Sequence, residues 1–181
     1  MDGFLLALML VFALALGGRD QLLVARWADG VGRGAALLAA ASGCAVVSAA
    51  AMAWIGAEFA SLLPPRAARM LVAFALGVAA VELALPVRRE APAHEPTRSH
   101  GAVAIVLLAR QIGDGARFAV FALAAWATVP QATGLGGALG GAAAVALGWS
   151  VGEATLARWP LRTIRLALAA VLLIAALFVG L

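Results

Sequence analysis

The chain has very few of the residues that characterise a soluble domain. Among its 181 residues there is one cysteine, Cys44, there is no tyrosine, and charged residues make up 12%. A single cysteine excludes an internal disulfide and a cysteine-clustered metal site. The chain is 65% hydrophobic, whereas a soluble domain is about 45–50% apolar and about 25% charged. This composition excludes an ordinary soluble domain and predicts an all-α integral membrane protein in a lipid bilayer.

Lysine is absent as well, and all thirteen basic residues are arginines, which give a net charge of +4. A basic excess also occurs in nucleic-acid-binding proteins, but there it forms a dense patch with interleaved aromatic residues. The arginines of this chain are scattered between apolar runs, a distribution typical of the cytoplasmic loops of membrane proteins. We therefore expect no nucleic-acid partner.

Six apolar stretches approach or exceed the length of about 20 residues that a membrane helix needs. The first has no basic region before it and no clean cleavage site after it, so we expect a retained span rather than a signal peptide. A polar segment rich in proline and charge separates the third stretch from the fourth and is predicted to be a linker. Its histidines, His94 and His100, are interpreted as solvated, with a two-histidine metal site as the alternative. The predicted spans are 3–27, 33–57, 66–87, 101–128, 134–157 and 162–181.

The chain also matches itself when it is shifted by 96 positions without a gap. The strings PPRAARMLV and PLRTIRLAL then superpose, with a proline and two arginines at the same spacing. The matched pairs are Gly17 with Gly113, Pro64 with Pro160, Arg66 with Arg162 and Arg69 with Arg165. The shift predicts a first repeat at 1–86, a charged linker at 87–100 and a second repeat at 101–181. Each repeat holds three spans. Because three is an odd number, the second repeat starts on the opposite side of the membrane and has the inverted orientation found in many transporters.

The distribution of arginines between the two predicted faces indicates the orientation. Eight arginines fall on the face of the linker and two on the other, which places the linker in the cytoplasm and both termini outside it. The first group is Arg26, Arg33, Arg88, Arg89, Arg98, Arg158, Arg162 and Arg165, and the second is Arg66 and Arg69. A bacterial inner membrane is the expected location.

Ionisable residues inside the predicted spans concentrate in two segments that the 96-residue shift superposes. Such residues are costly in a membrane and are functional candidates by default. The first segment contains Arg19, Asp20 and Gln21 beside Gly17 and Gly18, and the second contains Arg110, Gln111, Asp114 and Arg117 beside Gly113 and Gly115. These glycines permit close helix approach or a local helix break.

The pairing of these charges follows from helical spacing. Arg110, Asp114 and Arg117 are three or four residues apart and are predicted to share a helix face. Symmetry pairs Arg19 with Asp114, and Arg117 with Asp20. A structural salt-bridge network and a transport site are equally compatible with this pattern. The remaining acids in the spans are predicted to be structural because they lie toward span ends, and they are Glu58, Glu82 and Glu153.

The two charged segments resemble a known family. The strings LVFALALGGRDQLLVARWA and VLLARQIGDGARFAVFALA are similar to the paired signature of the Gdt-one, or transmembrane protein 165, family of cation–proton exchangers. That family carries the pattern Glu-x-Gly-Asp-Lys/Arg-Thr/Ser-Gln in the first helix of each of two inverted three-helix repeats. The resemblance covers almost the whole chain. It implies six transmembrane helices and the exchange of manganese or calcium for protons at the motif carboxylates.

Compared position by position, the chain retains one of the four family carboxylates, Asp114. Ala15 and Gly18 stand at the two acid positions of the first copy, and Gln111 stands at the glutamate position of the second. Matches to the motif are Gly17, Arg19, Gln21, Gly113 and Asp114, while Asp20 occupies the hydroxyl position of the first copy.

The loss of acids changes the electrostatics that the resemblance implies. Two carboxylates, Asp20 and Asp114, face three arginines, Arg19, Arg110 and Arg117, for a formal sum of +1. Manganese and calcium prefer several anionic oxygen ligands, so a divalent cation gains little at such a site.

The sequence therefore predicts a divergent membrane transporter with degenerate motifs, no cofactor and no enzymatic activity. Asp114 is expected to be the main ion- or proton-coupling carboxylate and the metal ligand, and Asp20 a displaced substitute for the lost acid. Gln111 and Gln21 are expected to supply neutral oxygens. Two alternatives are a non-transporting scaffold or regulatory paralogue, whose motif charges form structural salt bridges, and a pocket that its arginines make selective for anions.

Overall fold

The computed structural model describes residues 2–87, 99–111 and 113–181, and within these ranges the chain is built from α-helices without strands. In chain order the helices are α1 (Asp2–Ala15), α2 (Arg19–Val31), α3 (Ala35–Leu62), α4 (Pro65–Ala84), α5 (His100–Gln111), α6 (Gly115–Trp126), α7 (Pro130–Val151), α8 (Glu153–Leu156) and α9 (Leu161–Gly180). The polar part of the predicted linker, residues 88–98 with His94, lies outside the described residues.

Four helices are each long and apolar enough to cross a membrane. They are α3, α4, α7 and α9, with 28, 20, 22 and 20 residues. Helices α1 and α2 meet the same requirement together, as one segment bent by 63°. Helices α5 and α6 have 12 residues each and are about 18 Å long at 1.5 Å per residue, which is shorter than the hydrocarbon core of about 30 Å. The described part of the chain thus has four or five membrane-capable segments, and these indicate a multi-pass membrane protein.

Three of the six stretches that were predicted as continuous spans contain a break in the helix. The stretch 3–27 breaks after Ala15, at Gly17, which has a φ of +67°. The stretch 101–128 ends one helix at Gln111 and starts the next at Gly115. The stretch 134–157 breaks at Gly152, which has a φ of +77°. Glycine adopts positive φ without steric cost, so apolar length alone overestimated the continuity of these helices.

Helix boundaries recur at the spacing of the sequence repeat. Each of four boundaries in the first half has a counterpart 96 positions later in the second half. Helix α1 ends at Ala15 and α5 ends at Gln111, while α2 starts at Arg19 and α6 starts at Gly115. In the same way, α4 runs from Pro65 to Ala84 and α9 runs from Leu161 to Gly180. The first helix of each half is therefore interrupted at an equivalent place.

The glycine-rich helix α7 lies at the centre of the packing and contacts α1, α2, α3 and α6. A Cβ atom added to Gly136 or Gly140 would overlap the main chain of Phe4 or Leu8 in α1. Small residues allow helix backbones to approach closely, which is how membrane helices gain van der Waals contact. On the opposite side of the bundle, α4 packs against α9 and α6.

Two apolar clusters complete the core. The larger joins residues of α1, α3, α4, α6, α7 and α9, and the smaller joins α2 and α5 to the first half of α3 and the end of α7. Cys44 belongs to the smaller cluster, where it is buried and its thiol donates to the Ala104 carbonyl at 3.6 Å. Cys44 is therefore a packing residue between α3 and α5.

The α1–α7 contact predicts a specific sensitivity. Gly140→Leu is expected to destabilise the protein by about 1–3 kcal/mol, as overpacking does, because the new side chain meets the main chain of α1. The measurement is the thermal unfolding midpoint of the detergent-solubilised protein. Gly43→Leu in α3 is the matched control, since a Cβ atom at Gly43 meets nothing within 4 Å. An equal loss of stability in both variants would contradict the close packing.

Candidate functional site

At the first helix break, a glutamine side chain supplies the hydrogen bonds that the interrupted backbone lacks. Gly17 N–H donates to Gln21 Oε1 at 2.8 Å, and Gln21 Nε2 donates to the Ala144 carbonyl in α7 at 2.9 Å. Gln21 is 1% exposed. Because a buried backbone N–H needs a partner, this contact of Gln21 stabilises the helix break. The Gln21 side-chain oxygen, which was expected to be a neutral ligand for the transported ion, instead accepts the hydrogen bond from Gly17 N–H.

At the second break, the first N–H of α6 faces a carboxylate from α4. Asp114 occupies the N-cap position with extended backbone, φ −85° and ψ 133°. Gly115 N–H donates to Glu82 Oε2 at 3.4 Å. A Cβ atom on Gly115 would lie 2.9 Å from that oxygen and 2.5 Å from Leu83 Cδ1. That Cβ atom would also lie 3.1 Å from the Ala79 carbonyl oxygen, so glycine allows the close approach of α4 to the start of α6.

The two breaks meet at a small central cavity of about 10 Å³, which is room for about one water molecule. Charged and polar side chains that line it are Asp20, Gln21, Asp114 and Arg117. Asp20 and Asp114 interact electrostatically with each other, and Arg117 interacts with both. Arg117 is 2% exposed, and its Nε donates to Ser48 Oγ of α3 at 2.7 Å. The two motif segments therefore converge as the sequence predicted.

Glu82 was expected to be a structural residue near a span end, and it lies close to the end of α4 at Ala84 but faces the interior rather than water. The residue is 8% exposed and buried among α4, α6 and α9. Arg165 Nη2 donates to both carboxylate oxygens of Glu82 at 3.3 Å. Glu82 lies five residues before the end of the predicted span 66–87, and only the packing of α4 against α6 and α9 decides that it points inward.

Arg165 was assigned to the cytoplasmic loops, but it is 3% exposed. Its repeat counterpart, Arg69, lies in the same Pro-x-Arg-x-x-Arg pattern but is exposed, so this pattern does not distinguish the buried arginine from the exposed one. Arg19, expected to pair with Asp114, instead contacts Glu82 Oε1 at 3.8 Å with its own side chain 49% exposed. The burial of Glu82 explains this difference, since the buried carboxylate attracts both arginines.

The predicted shared face of Arg110, Asp114 and Arg117 is also wrong, because α5 ends at Gln111 and α6 begins at Gly115. The spacing rule applies only within a continuous helix. Gln111 is 1% exposed, and its side chain faces Asp20 of the other break. Gly113 is exposed, and a Cβ atom there would meet nothing within 4 Å.

A much larger cleft of about 1040 Å³ lies next to the central cavity, and its lining residues include Gly17 and Trp159. We refer to it as the arginine cleft. Its charged lining residues are Arg19, Arg26, Arg110, Arg162, Arg165, Asp29 and Glu153. Arg26 and Glu153 form a two-point ion pair, with Nη2–Oε1 at 2.7 Å and Nε–Oε2 at 3.0 Å.

The described residues contain no group of three or more histidine, cysteine or acidic side chains arranged to hold a metal ion. Asp20, Asp114 and Glu82 are instead interleaved with Arg117, Arg165 and Arg19. The role of Asp114 as a metal ligand stays a prediction.

Comparison with known proteins found no match to this chain. No family model matches the chain, and neither a curated protein nor a solved structure does so. The resemblance to cation–proton exchangers therefore depends on the sequence pattern alone.

The buried pair of Glu82 and Arg165 gives a test of this site. Arg165→Gln is expected to lower the free energy of unfolding by about 3–5 kcal/mol, because it leaves a buried carboxylate without its main partner. Arg69→Gln, the exposed counterpart 96 positions earlier, should change it by less than about 0.5 kcal/mol. The free energies of unfolding of both variants are measured in detergent micelles. The double variant Glu82→Gln/Arg165→Gln should recover much of the loss, and a double variant as unstable as Arg165→Gln would contradict the pairing.

Proposed function

We propose that the protein is a membrane ion transporter made of two inverted three-helix repeats. The recurrence of helix boundaries at a spacing of 96 residues supports the repeat. Each half has three passes if α1 with α2, and α5 with α6, each form one broken span. Three passes reverse the direction of the chain, so the second half enters the membrane from the opposite face.

The observation that carries this proposal is the meeting of two broken helices at the central cavity. Interrupted helices are tolerated in a membrane where they are buried in protein or line a cavity, and transporters place ion sites at such interruptions. Here the breaks bring Asp20 and Asp114 together beside Arg117. Ionisable side chains within membrane-spanning segments are energetically costly, and for this reason they indicate a functional site by default.

Asp114 and Asp20 are the residues that we assign to ion or proton coupling. Carboxylates can take up and release protons, whereas the arginine guanidinium stays charged. We assign access to the arginine cleft, because its lining residues Gly17 and Arg19 are next in sequence to the cavity residues Gly18 and Asp20. We place the face of the cleft in the cytoplasm, because arginines remain in excess on the linker side after Arg165 is counted as buried. Manganese or calcium exchanged for protons is the cargo that the resemblance implies.

A non-transporting scaffold is the second candidate, and the contacts of Glu82 favour it. This carboxylate joins Arg165, Arg19 and the N–H of Gly115, so it links α4, α9, α2 and α6. Such a network stabilises a bundle whether or not any ion passes through it.

Flux through the reconstituted protein separates the two candidates. Asp114→Asn is expected to reduce proton-coupled flux of manganese or calcium in proteoliposomes at least about tenfold, equivalent to about 1.4 kcal/mol, because it removes the retained carboxylate. Glu58→Gln is the control, since Glu58 is exposed in α3. Wild-type protein that is folded but moves neither protons nor any tested ion would support the scaffold and refute transport. Flux that is unchanged by Asp114→Asn would refute the assigned coupling residue.

A further inference from the structure

The two helix breaks are attached to the long helices of the bundle in equivalent ways. Gln21 Nε2 donates to the Ala144 carbonyl of α7 at 2.9 Å, and Arg117 Nε donates to Ser48 Oγ of α3 at 2.7 Å. A shift of 96 positions superposes Gln21 on Arg117 and Ser48 on Ala144. Both donor side chains are buried. Because the neutral amide of Gln21 makes this attachment at the first break, the attachment of the second break does not by itself call for the charge of Arg117.

The charged end of Arg117 lies in the central cavity. Of the three arginines in the motif segments, Arg117 lines this cavity, whereas Arg19 and Arg110 line the arginine cleft. The guanidinium group fits because residue 141 is a glycine. A Cβ atom on Gly141 would lie 3.0 Å from Arg117 Nη1 and 3.2 Å from Nη2. The cavity wall therefore leaves space for a guanidinium group beside the two carboxylates.

Arg117 acts electrostatically on both carboxylates of the cavity, Asp20 and Asp114. Arg110 acts on Asp20 as well, and Asp114 also lies in the field of the buried ion pair between α4 and α9. The guanidinium group stays charged, so Arg117 contributes one permanent positive charge to the cavity whatever the sum of the other charges. Coulomb repulsion is proportional to the charge of each ion. Arg117 therefore opposes a divalent cation twice as strongly as a monovalent cation at the same distance.

We propose that Arg117 sets the cation selectivity of the central cavity, because its guanidinium group is a tethered cation that disfavours divalent ions relative to monovalent ions. The cavity has room for about one water molecule, so a cation that enters it lies close to this group. Divalent cations such as calcium take several oxygen ligands, many of them anionic, and here Arg117 weakens their attraction to Asp20 and Asp114. The proposal rests on the function proposed above only where the bound cation is called the transported ion.

The test is cation binding by the purified full-length protein in detergent. Mn²⁺, Ca²⁺ and Na⁺ are each titrated by calorimetry, and the thermal unfolding midpoint is measured with each ion because binding to the folded state raises it. Arg117→Gln is expected to tighten the binding of Mn²⁺ and Ca²⁺ at least about tenfold and that of Na⁺ by a smaller factor, because repulsion scales with charge. Unchanged divalent binding, or an equal factor for all three ions, would overturn the proposal.

Two matched variants separate selectivity from a purely structural role. Arg117→Lys keeps a positive charge and is expected to bind divalent ions within about threefold of the wild-type protein. Arg69→Gln removes an exposed arginine of α4 and is expected to leave all three affinities unchanged. Equal tightening in Arg69→Gln and Arg117→Gln would show a general effect of net charge and would overturn the assignment. Equal tightening in Arg117→Lys and Arg117→Gln would also overturn it, because the charge would then have no part in the effect.

The folding of the neutral variants is part of the test. Arg117→Met is the second neutral variant, because methionine fills irregular spaces in a protein interior, and the same tightening of divalent binding is expected for it. Thermal unfolding of each purified variant shows whether it is folded. If neither neutral variant folds while Arg117→Lys does, the charge is required by the scaffold, and the proposal is overturned.

Flux measurements in proteoliposomes separate this proposal from the transport function. Tighter divalent binding by Arg117→Gln, together with a wild-type protein that moves no ion, would refute transport and leave the selectivity assignment standing. Flux through the wild-type protein, together with unchanged divalent binding by Arg117→Gln, would do the reverse.

Discussion

The backbone groups released at the two helix breaks constrain the rest of this structure. In hydrocarbon no water is present to satisfy them, so each break must be surrounded by protein groups. At the first break, Gln21 accepts from Gly17 N–H and donates to Ala144. At the second, Glu82 accepts from Gly115 N–H. These contacts tie α2 to α7 and α6 to α4, which fixes the positions of both motif segments.

The use of a carboxylate at the second break has consequences for the charges around it. Glu82 is buried and therefore requires a cation, which Arg165 supplies at 3.3 Å. Arg165 therefore lies in the wall of the arginine cleft and not in a loop. With Arg19 and Arg162 also present there, the cleft becomes positive while the central cavity keeps its two acids. The structure thus separates the acids of the motifs from most of the arginines that accompany them in sequence.

The two halves share helix boundaries but not electrostatics. Arg66 and Arg69 are exposed in the first half, whereas Arg162 lines the cleft and Arg165 is buried in the second. The position equivalent to Glu82 is Phe178, and the position equivalent to Gly115 is Arg19. Helix starts and ends recur at a spacing of 96 residues, because prolines and glycines act locally. Side-chain roles diverge because each one depends on neighbours from the other half.

Composition and periodicity by themselves determined the all-helical class, the apolar segments that can cross a membrane, the 96-residue spacing and the convergence of Asp20, Asp114 and Arg117. These features follow from local chemistry: apolar length, turn residues and a duplicated pattern. Tertiary structure alone decided that Glu82 and Arg165 are buried partners and that Arg19 contacts Glu82 rather than Asp114. Each of these depends on which helices pack together and on which N–H groups a break leaves to be satisfied, and a one-dimensional pattern does not contain that information.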